Sequence, residues 1–153
     1  MEKIDSKNLD SQFKYDVANF AGGENIKLCF ACGTCTAGCP ISEIDKDFNP
    51  RKIIRQVLLG MRKEVLSGDI IWRCVQCYSC TAKCPQNVRF REIIKALRLM
   101  AVAEGYVDNK VAAEVENSGP FAQKLRENML KTLFKDKTKF ESLKKELEKI
   151  VEP

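Results

Sequence analysis

All eight cysteines of this 153-residue chain fall in two short runs, CFACGTCTAGCP at residues 29–40 and CVQCYSCTAKCP at residues 74–85. Both runs read C-x2-C-x2-C-x3-C with proline directly after the fourth thiol. Closely spaced thiolates are soft ligands that favour iron-sulfur clusters. This particular spacing is that of polypeptides holding two [4Fe-4S] clusters, in which the fourth cysteine of each run ligates the cluster of the other run. It predicts one cubane on Cys29, Cys32, Cys35 and Cys84, and a second on Cys74, Cys77, Cys80 and Cys39.

Three thiolates two residues apart on a tight loop can point at three irons of one cube, and the fourth iron needs a ligand from farther away. The residues between the ligands are mostly small (Ala31, Gly33, Thr34, Ala37, Gly38; then Ser79, Thr81, Ala82). They let the backbone wrap closely and turn N–H groups toward sulfur, which together with burial and charge sets a reduction potential. Proline after the last ligand removes a donor and steers the chain away. Of the basic residues close to the ligands, Lys27, Arg73, Lys83 and Arg89 are the candidates to raise a potential, the alternative being that each is simply solvated. Two other uses of eight thiols compete: structural zinc, which prefers paired C-x2-4-C spacing and fits these runs poorly, and disulfides, which need an oxidising compartment.

Hydrophobic residues make up 44% of the chain, but eight of them are cysteines, so the organic core is lean and cluster binding is expected to help hold the fold. The formal charge is +5 with thiols counted as neutral. Each oxidised cubane with its four thiolates carries about −2, which brings the loaded protein to about +1 and removes the basic surplus that a nucleic-acid partner would require. There is no histidine, which excludes Rieske ligation, axial haem histidine and imidazole acid-base chemistry. No glycine-rich nucleotide loop occurs. The longest apolar run is residues 99–103, and no stretch has the build of a signal peptide, so a soluble, cytoplasmic protein without a membrane partner is expected.

Helical elements must position the two runs. A polar opening leads to Asp10, which could cap a short helix with Phe13, Val17 and Phe20 on one face and Gly22-Gly23 at its end. Asn49-Pro50 has the form of an N-cap followed by proline at the first helical position, and Ile53, Ile54, Val57, Leu58, Met61 and Val65 recur at helical spacing up to Ser67-Gly68. Residues 69–73 (DIIWR) lead into the second run, with Trp72 expected beside a cluster. A helix from Phe90 follows, with Ile93, Ile94, Leu97, Met100 and Ala101 on one face and Gly105 as its cap. The arrangement of cluster loop followed by helix thus occurs twice, which predicts a pseudo-twofold core. Beyond Val107 the chain turns lysine-rich. Gly119-Pro120 is expected to break it before a helix lined by Phe121, Leu125, Met129 and Leu133. Thr138 and Glu141 have capping-box spacing ahead of a last helix with Phe140, Leu143, Leu147 and Ile150 inward. The expectation is all-α: an α-helical dicluster ferredoxin domain over residues 1–106 and a lysine-rich helical extension over 107–153, which either packs as solvated helices or offers its apolar stripes to another protein of a complex.

With these elements in place, the region from about residue 20 to 106 resembles the iron-sulfur (C) subunit of the soluble, methanogen-type heterodisulfide reductase. The resemblance is carried by NIKLCFACGTCTAGCP (25–40), NPRKII (49–54), IIWRCVQCYSCTAKCP (70–85) and IIKALR (93–98). The same α-helical ferredoxin unit occurs in the iron-sulfur subunits of succinate dehydrogenase, fumarate reductase and anaerobic glycerol-3-phosphate dehydrogenase. The resemblance implies an electron-relay subunit with no catalytic residues or substrate site of its own. In that family a flavin-containing (A) subunit supplies electrons, and a catalytic (B) subunit reduces the coenzyme M/coenzyme B disulfide of methanogenesis at clusters held by CCG motifs. The resemblance also allows a hydrogenase or formate dehydrogenase as a further partner. This chain has no CCG motif and no spare thiol. The alternatives are a relay subunit of another anaerobic oxidoreductase, acting on succinate, lactate, glycerol phosphate or formate, and a freely diffusing dicluster carrier. A carrier would benefit from a stronger steering charge than about +1.

Overall fold

The computed structural model describes residues 8–151; the polar opening at residues 1–7 lies outside the described residues. Among them every regular element is helical and none is a strand. In order these are α1 (Phe13–Ala18), α2 (Thr34–Ala37), α3 (Pro40–Ile44), α4 (Pro50–Leu58), α5 (Arg62–Leu66), α6 (Ser79–Lys83), α7 (Phe90–Ala103), α8 (Asn109–Lys135) and α9 (Lys137–Val151), with 3-10 turns at Glu24–Leu28 and Ile70–Arg73. The chain divides after Ala112 into two compact units.

The first unit is built on the expected repeat. A 3-10 turn leads into each cysteine run, a short helix lies within it (α2, α6), and a longer amphipathic helix follows (α4, α7). The turn at Glu24–Leu28 packs on α4, the turn at Ile70–Arg73 packs on α7, and α2 packs on α6. The buried faces of α4 (Ile53, Ile54, Val57) and α7 (Ile93, Ile94, Leu97, Ala101) meet Phe13, Val17, Ile26, Phe48, Ile71 and Phe90 in one core. Burying a large aliphatic or aromatic side chain contributes about 1.5–3 kcal/mol, and this core lies directly behind the cysteine loops.

Local chemistry explains most of the boundaries. Asn49 caps α4 through its Oδ1, which accepts from the Lys52 N–H at 3.0 Å, with Pro50 at the first helical position. Gly105, at φ +75°, closes α7: its N–H donates to the Val102 carbonyl, and the Tyr106 N–H donates back to the Ala101 carbonyl at 2.9 Å.

Several expectations change. The helix after Asn49 does not run to Ser67; it breaks at Gly60, whose φ is +83°, and resumes as α5. The break is imposed by α1's approach, since the Asp10 N–H donates to the Gly60 carbonyl at 2.7 Å and a Cβ at residue 60 would run into the Asp10 carbonyl oxygen. Asp10 itself turns the chain before α1, its Oδ1 accepting from the Gln12 N–H, and does not cap the helix; α1 ends at Ala18, ahead of Gly22-Gly23. In the second unit, α8 runs straight through Gly119-Pro120. Proline removes one N–H and crowds the preceding turn, but residues 116–124 are all exposed to water, and the Ser118 hydroxyl donates to the Val115 carbonyl at 2.6 Å. α9 is capped by Asp136, whose Oδ1 accepts from the Thr138 and Lys139 N–H groups, and not by Thr138. Neither α8 nor α9 contains a fully buried residue: Leu125, Met129, Leu133, Phe140, Leu143 and Leu147 are half-buried, while Phe121, in line with the first three, and Ile150, expected inward, are exposed.

Candidate metal centre

The two cysteine loops follow one backbone path. Ala31 and Gly33 in the first loop have φ of +58° and +84°, and Gln76 and Tyr78, at the same places in the second, have +53° and +64°. Left-handed residues set among right-handed and extended ones turn successive N–H groups inward and form a nest for anionic sulfur. The Gln76 N–H donates to Cys74 Sγ and the Val88 N–H to Cys84 Sγ, each at 3.4 Å. Glycine adopts the left-handed conformation at no steric cost, whereas a tyrosine does not. The Tyr78 ring is held in place by the Arg91 guanidinium, 4.3 Å from its centroid.

Pairing of α2 with α6, tied by the Ser79 hydroxyl donating to the Gly38 carbonyl at 2.8 Å, carries the fourth cysteine of each run across to the opposite loop. Two cavities result. One, of ≈ 410 Å³ including the part open to solvent, is lined by Cys29, Cys32, Cys35 and Cys84, with Cys80 also at its wall. The other, of ≈ 320 Å³ on the same basis, is lined by Cys39, Cys74, Cys77 and Cys80. Cys39 therefore sits with the second run and Cys84 with the first, and Cys80 and Phe90 line both cavities. All eight cysteines are free thiols.

The donor set suits a cluster better than a single ion. Zinc draws its thiolates to one point at about 2.3 Å; among the described residues no three Cys, His, Asp or Glu side chains converge in that way. The thiols instead line the walls of two neighbouring cavities, the spread-out donor arrangement that a cluster of four irons uses. Burial pushes the Cys35, Cys74 and Cys80 thiols up, opposed at Cys35 by the Thr36 hydroxyl and at Cys74 by the Gln76 N–H. The exposed Cys32 is pulled down by the Thr34 hydroxyl, 3.3 Å from its sulfur.

The basic residues singled out from the sequence are largely engaged elsewhere. Arg73 bridges Asp45 and Asp69 at 2.7 Å each, Arg89 donates to the Asn87 side chain, and Lys27 lies over the Tyr15 ring. Lys83 packs along Gly38. Trp72 lines neither cavity; it is half-buried with Arg98 5.4 Å from its ring centroid, and its Nε1 is buried without a partner. Sequence reasoning passes over Arg98, which is only 5% exposed and donates to the Cys74 carbonyl at 2.8 Å. The available signal is a charge set inside the apolar stripe of Ile94, Leu97 and Ala101, since a buried arginine must find acceptors.

Residues 25–88 match the family described as a 4Fe-4S dicluster domain. Among curated proteins, the chain is 36% identical over 100 residues to the C subunit of the H(2):CoB-CoM heterodisulfide,ferredoxin reductase of Methanothermobacter thermautotrophicus, covering 65% of this chain and 53% of that one. It is 46% identical over 82 residues to the second of the iron-sulfur C subunits of the CoB–CoM heterodisulfide reductase of Methanocaldococcus jannaschii, covering 54% and 43%. It is 34% identical over 93 residues to a protein of Archaeoglobus profundus described as like the C subunit of heterodisulfide reductase, covering 61% and 49%. The chain thus spans about half the length of the relatives it matches. Fold, thiol placement and similarity agree: residues 25–88 form an α-helical 4Fe-4S dicluster domain matching that of the iron-sulfur (C) subunit of heterodisulfide reductases from several methanogens.

Proposed function

We propose that this chain is the non-catalytic electron-relay subunit of a heterodisulfide reductase, passing electrons from a flavin-containing subunit to a catalytic one that reduces the coenzyme M/coenzyme B disulfide. In this reading Cys29, Cys32, Cys35 and Cys84 hold one cluster, and Cys74, Cys77, Cys80 and Cys39 hold the other. The observation that carries it is the pair of thiol-lined cavities, the first reached by Cys84 of the second run and the second by Cys39 of the first, with Cys80 and Phe90 common to both walls.

When bound, each [4Fe-4S] cluster supplies a one-electron site. The chain's residues do the rest. Thiolates anchor, loop N–H groups stabilise sulfur charge, and buried Ile54, Val88, Phe48 and Phe90 keep water from the inner walls. Each loop also carries one largely exposed apolar residue directly after its first cysteine, Phe30 and Val75, each 60% exposed and at the wall of its own cavity. Two such exposed positions suit a relay with one donor and one acceptor. The dicluster domain closes at Gly105, and residues from 107 form the lysine-rich extension. This reading makes the complex cytoplasmic. Among the described residues no helix is long and apolar enough to cross a membrane.

Anaerobic purification of the tagged protein from its native cells tests the assignment. The expected result is co-purification of a flavoprotein with further cysteine runs and of a protein with CCG motifs. Elution as a small iron-loaded monomer would instead support a free carrier, and retrieval of a different dehydrogenase would move the relay to that enzyme.

A further inference from the structure

In the repeat, PRKIIRQVL of α4 corresponds to FREIIKALR of α7, so Arg51 pairs with Arg91 and Leu58 with Arg98. Each of these helices packs on the 3-10 turn that enters a cysteine run. Leu58 is half-buried and apolar. Arg98 is buried: its Nε donates to the Ile71 carbonyl at 3.1 Å, and its Nη2 donates to the carbonyls of Trp72 at 2.9 Å and Cys74 at 2.8 Å. A full positive charge is therefore fixed against the backbone of the first thiol of the second run, whereas the same helix position in the first half carries hydrocarbon.

We infer that Arg98 makes the site on Cys74, Cys77, Cys80 and Cys39 the easier of the two to reduce, so that it takes the first electron. The inference rests on the two-cluster reading above. Reduction adds one electron, makes and breaks no bond, and makes the site more negative by one unit. A cation held near it favours the reduced form, and more so when little water lies between them. The guanidinium is hydrogen-bonded to the Cys74 carbonyl itself, so a counter-charge farther out weakens this bias without reversing it.

Other nearby groups discriminate less. Arg51 and Arg91 line equivalent cavity walls; Arg91 is paired with Glu92 at 2.6 Å, and Arg51 is exposed, where water screens it. The opposing device is the Thr34 hydroxyl beside Cys32. It is a neutral dipole on an exposed loop, against a buried full charge.

The test is an anaerobic redox titration of the loaded, full-length protein, followed by electron paramagnetic resonance, on wild type, R98M and R98K. Signals are assigned to the two sites with the C39S and C84S variants. In wild type the site assigned to Cys74, Cys77 and Cys80 is expected to reduce first. R98M should lower its reduced-to-oxidised ratio at fixed potential about tenfold, equivalent to about 59 mV for one electron. R98K should retain most of the wild-type ratio, and the other site should change less than about twofold. The inference is overturned if wild type reduces the other site first, or if R98M shifts neither site or both alike. Should R98M fail to load iron, the wild-type order and R98K still decide. Iron content separates the two levels: a wild-type protein without about eight irons removes the two-cluster reading itself, whereas full iron with unshifted potentials removes only the role of Arg98.

Discussion

In the first half of the core, Asn49 caps α4 while its Oδ1 also takes the Thr36 hydroxyl at 3.0 Å, and the Arg51 N–H donates to that same hydroxyl at 3.1 Å. In the second half, Arg89 stands at the equivalent position in the left-handed region with φ +54°, and no side chain caps α7. Thr81, the partner of Thr36, is left with a buried hydroxyl that makes no hydrogen bond of good geometry, although it lies near enough to Cys80 to favour the thiolate. Leu28 before the first run is exposed; Arg73 before the second is an ion-pair hub. The thiols and loop dihedrals repeat because cluster ligation tolerates one arrangement. The caps and flanking charges carry no such constraint, and they have diverged until the two sites differ in environment.

The largest expected effect comes from the crossed thiols. Cys39→Ser should remove the site of the second run and leave the first, giving about half the iron; Cys84→Ser should do the converse. Elemental analysis with electron paramagnetic resonance checks both, and loss of the cluster next to each substituted residue in sequence would break the crossing.

Gly60→Ala comes next, because only the first-half helix is broken there while α7 continues past the equivalent position. A left-handed alanine costs about 1–2 kcal/mol, and its Cβ meets the Asp10 carbonyl, so a loss of more than about 2 kcal/mol is expected in denaturant unfolding. A neutral result would mean that α1 does not dock on this turn.

The pH dependence of reconstitution should also separate the halves. Thiols whose pKa is raised by burial are protonated at neutral pH, and cluster binding must displace those protons, so uptake strengthens as pH rises toward the raised values and weakens as it falls. The second site has two such thiols, Cys74 and Cys80, whereas the first has Cys35 alongside a lowered Cys32. Thiols at or above the ordinary value are protonated across most of the range from about pH 6.5 to 8.5, so the lowered Cys32 makes the contrast: uptake at the second site should be the steeper there, and equal slopes would mean that the Thr34 hydroxyl does not lower Cys32. The smallest contrast is Thr36→Val, expected to cost about 1–2 kcal/mol through two lost hydrogen bonds, against Thr81→Val, expected within about 0.5 kcal/mol of wild type. Thermal unfolding of the pair reads this directly, and equal losses would show that both hydroxyls are anchored alike.

What can be read from residues alone follows the range of the forces involved. Ligand spacing, the Asn49-Pro50 cap and the Gly105 closure are local chemistry, and they stand in the structure as they stand in the chain. Gly60 reads as a tolerated helical glycine because what breaks the helix is the Asp10 backbone, 50 residues away in sequence. Pro120 reads as a breaker because proline destabilises a helix interior, yet an exposed helix can pass its orphaned groups to water. Arg98 is hidden because its acceptors are carbonyls of a turn that only the tertiary fold brings to α7.

The most direct test is a count of iron and acid-labile sulfide in the protein purified without oxygen. Crossed binding of two cubanes requires about eight of each per chain. A colourless preparation carrying zinc and no sulfide would contradict it.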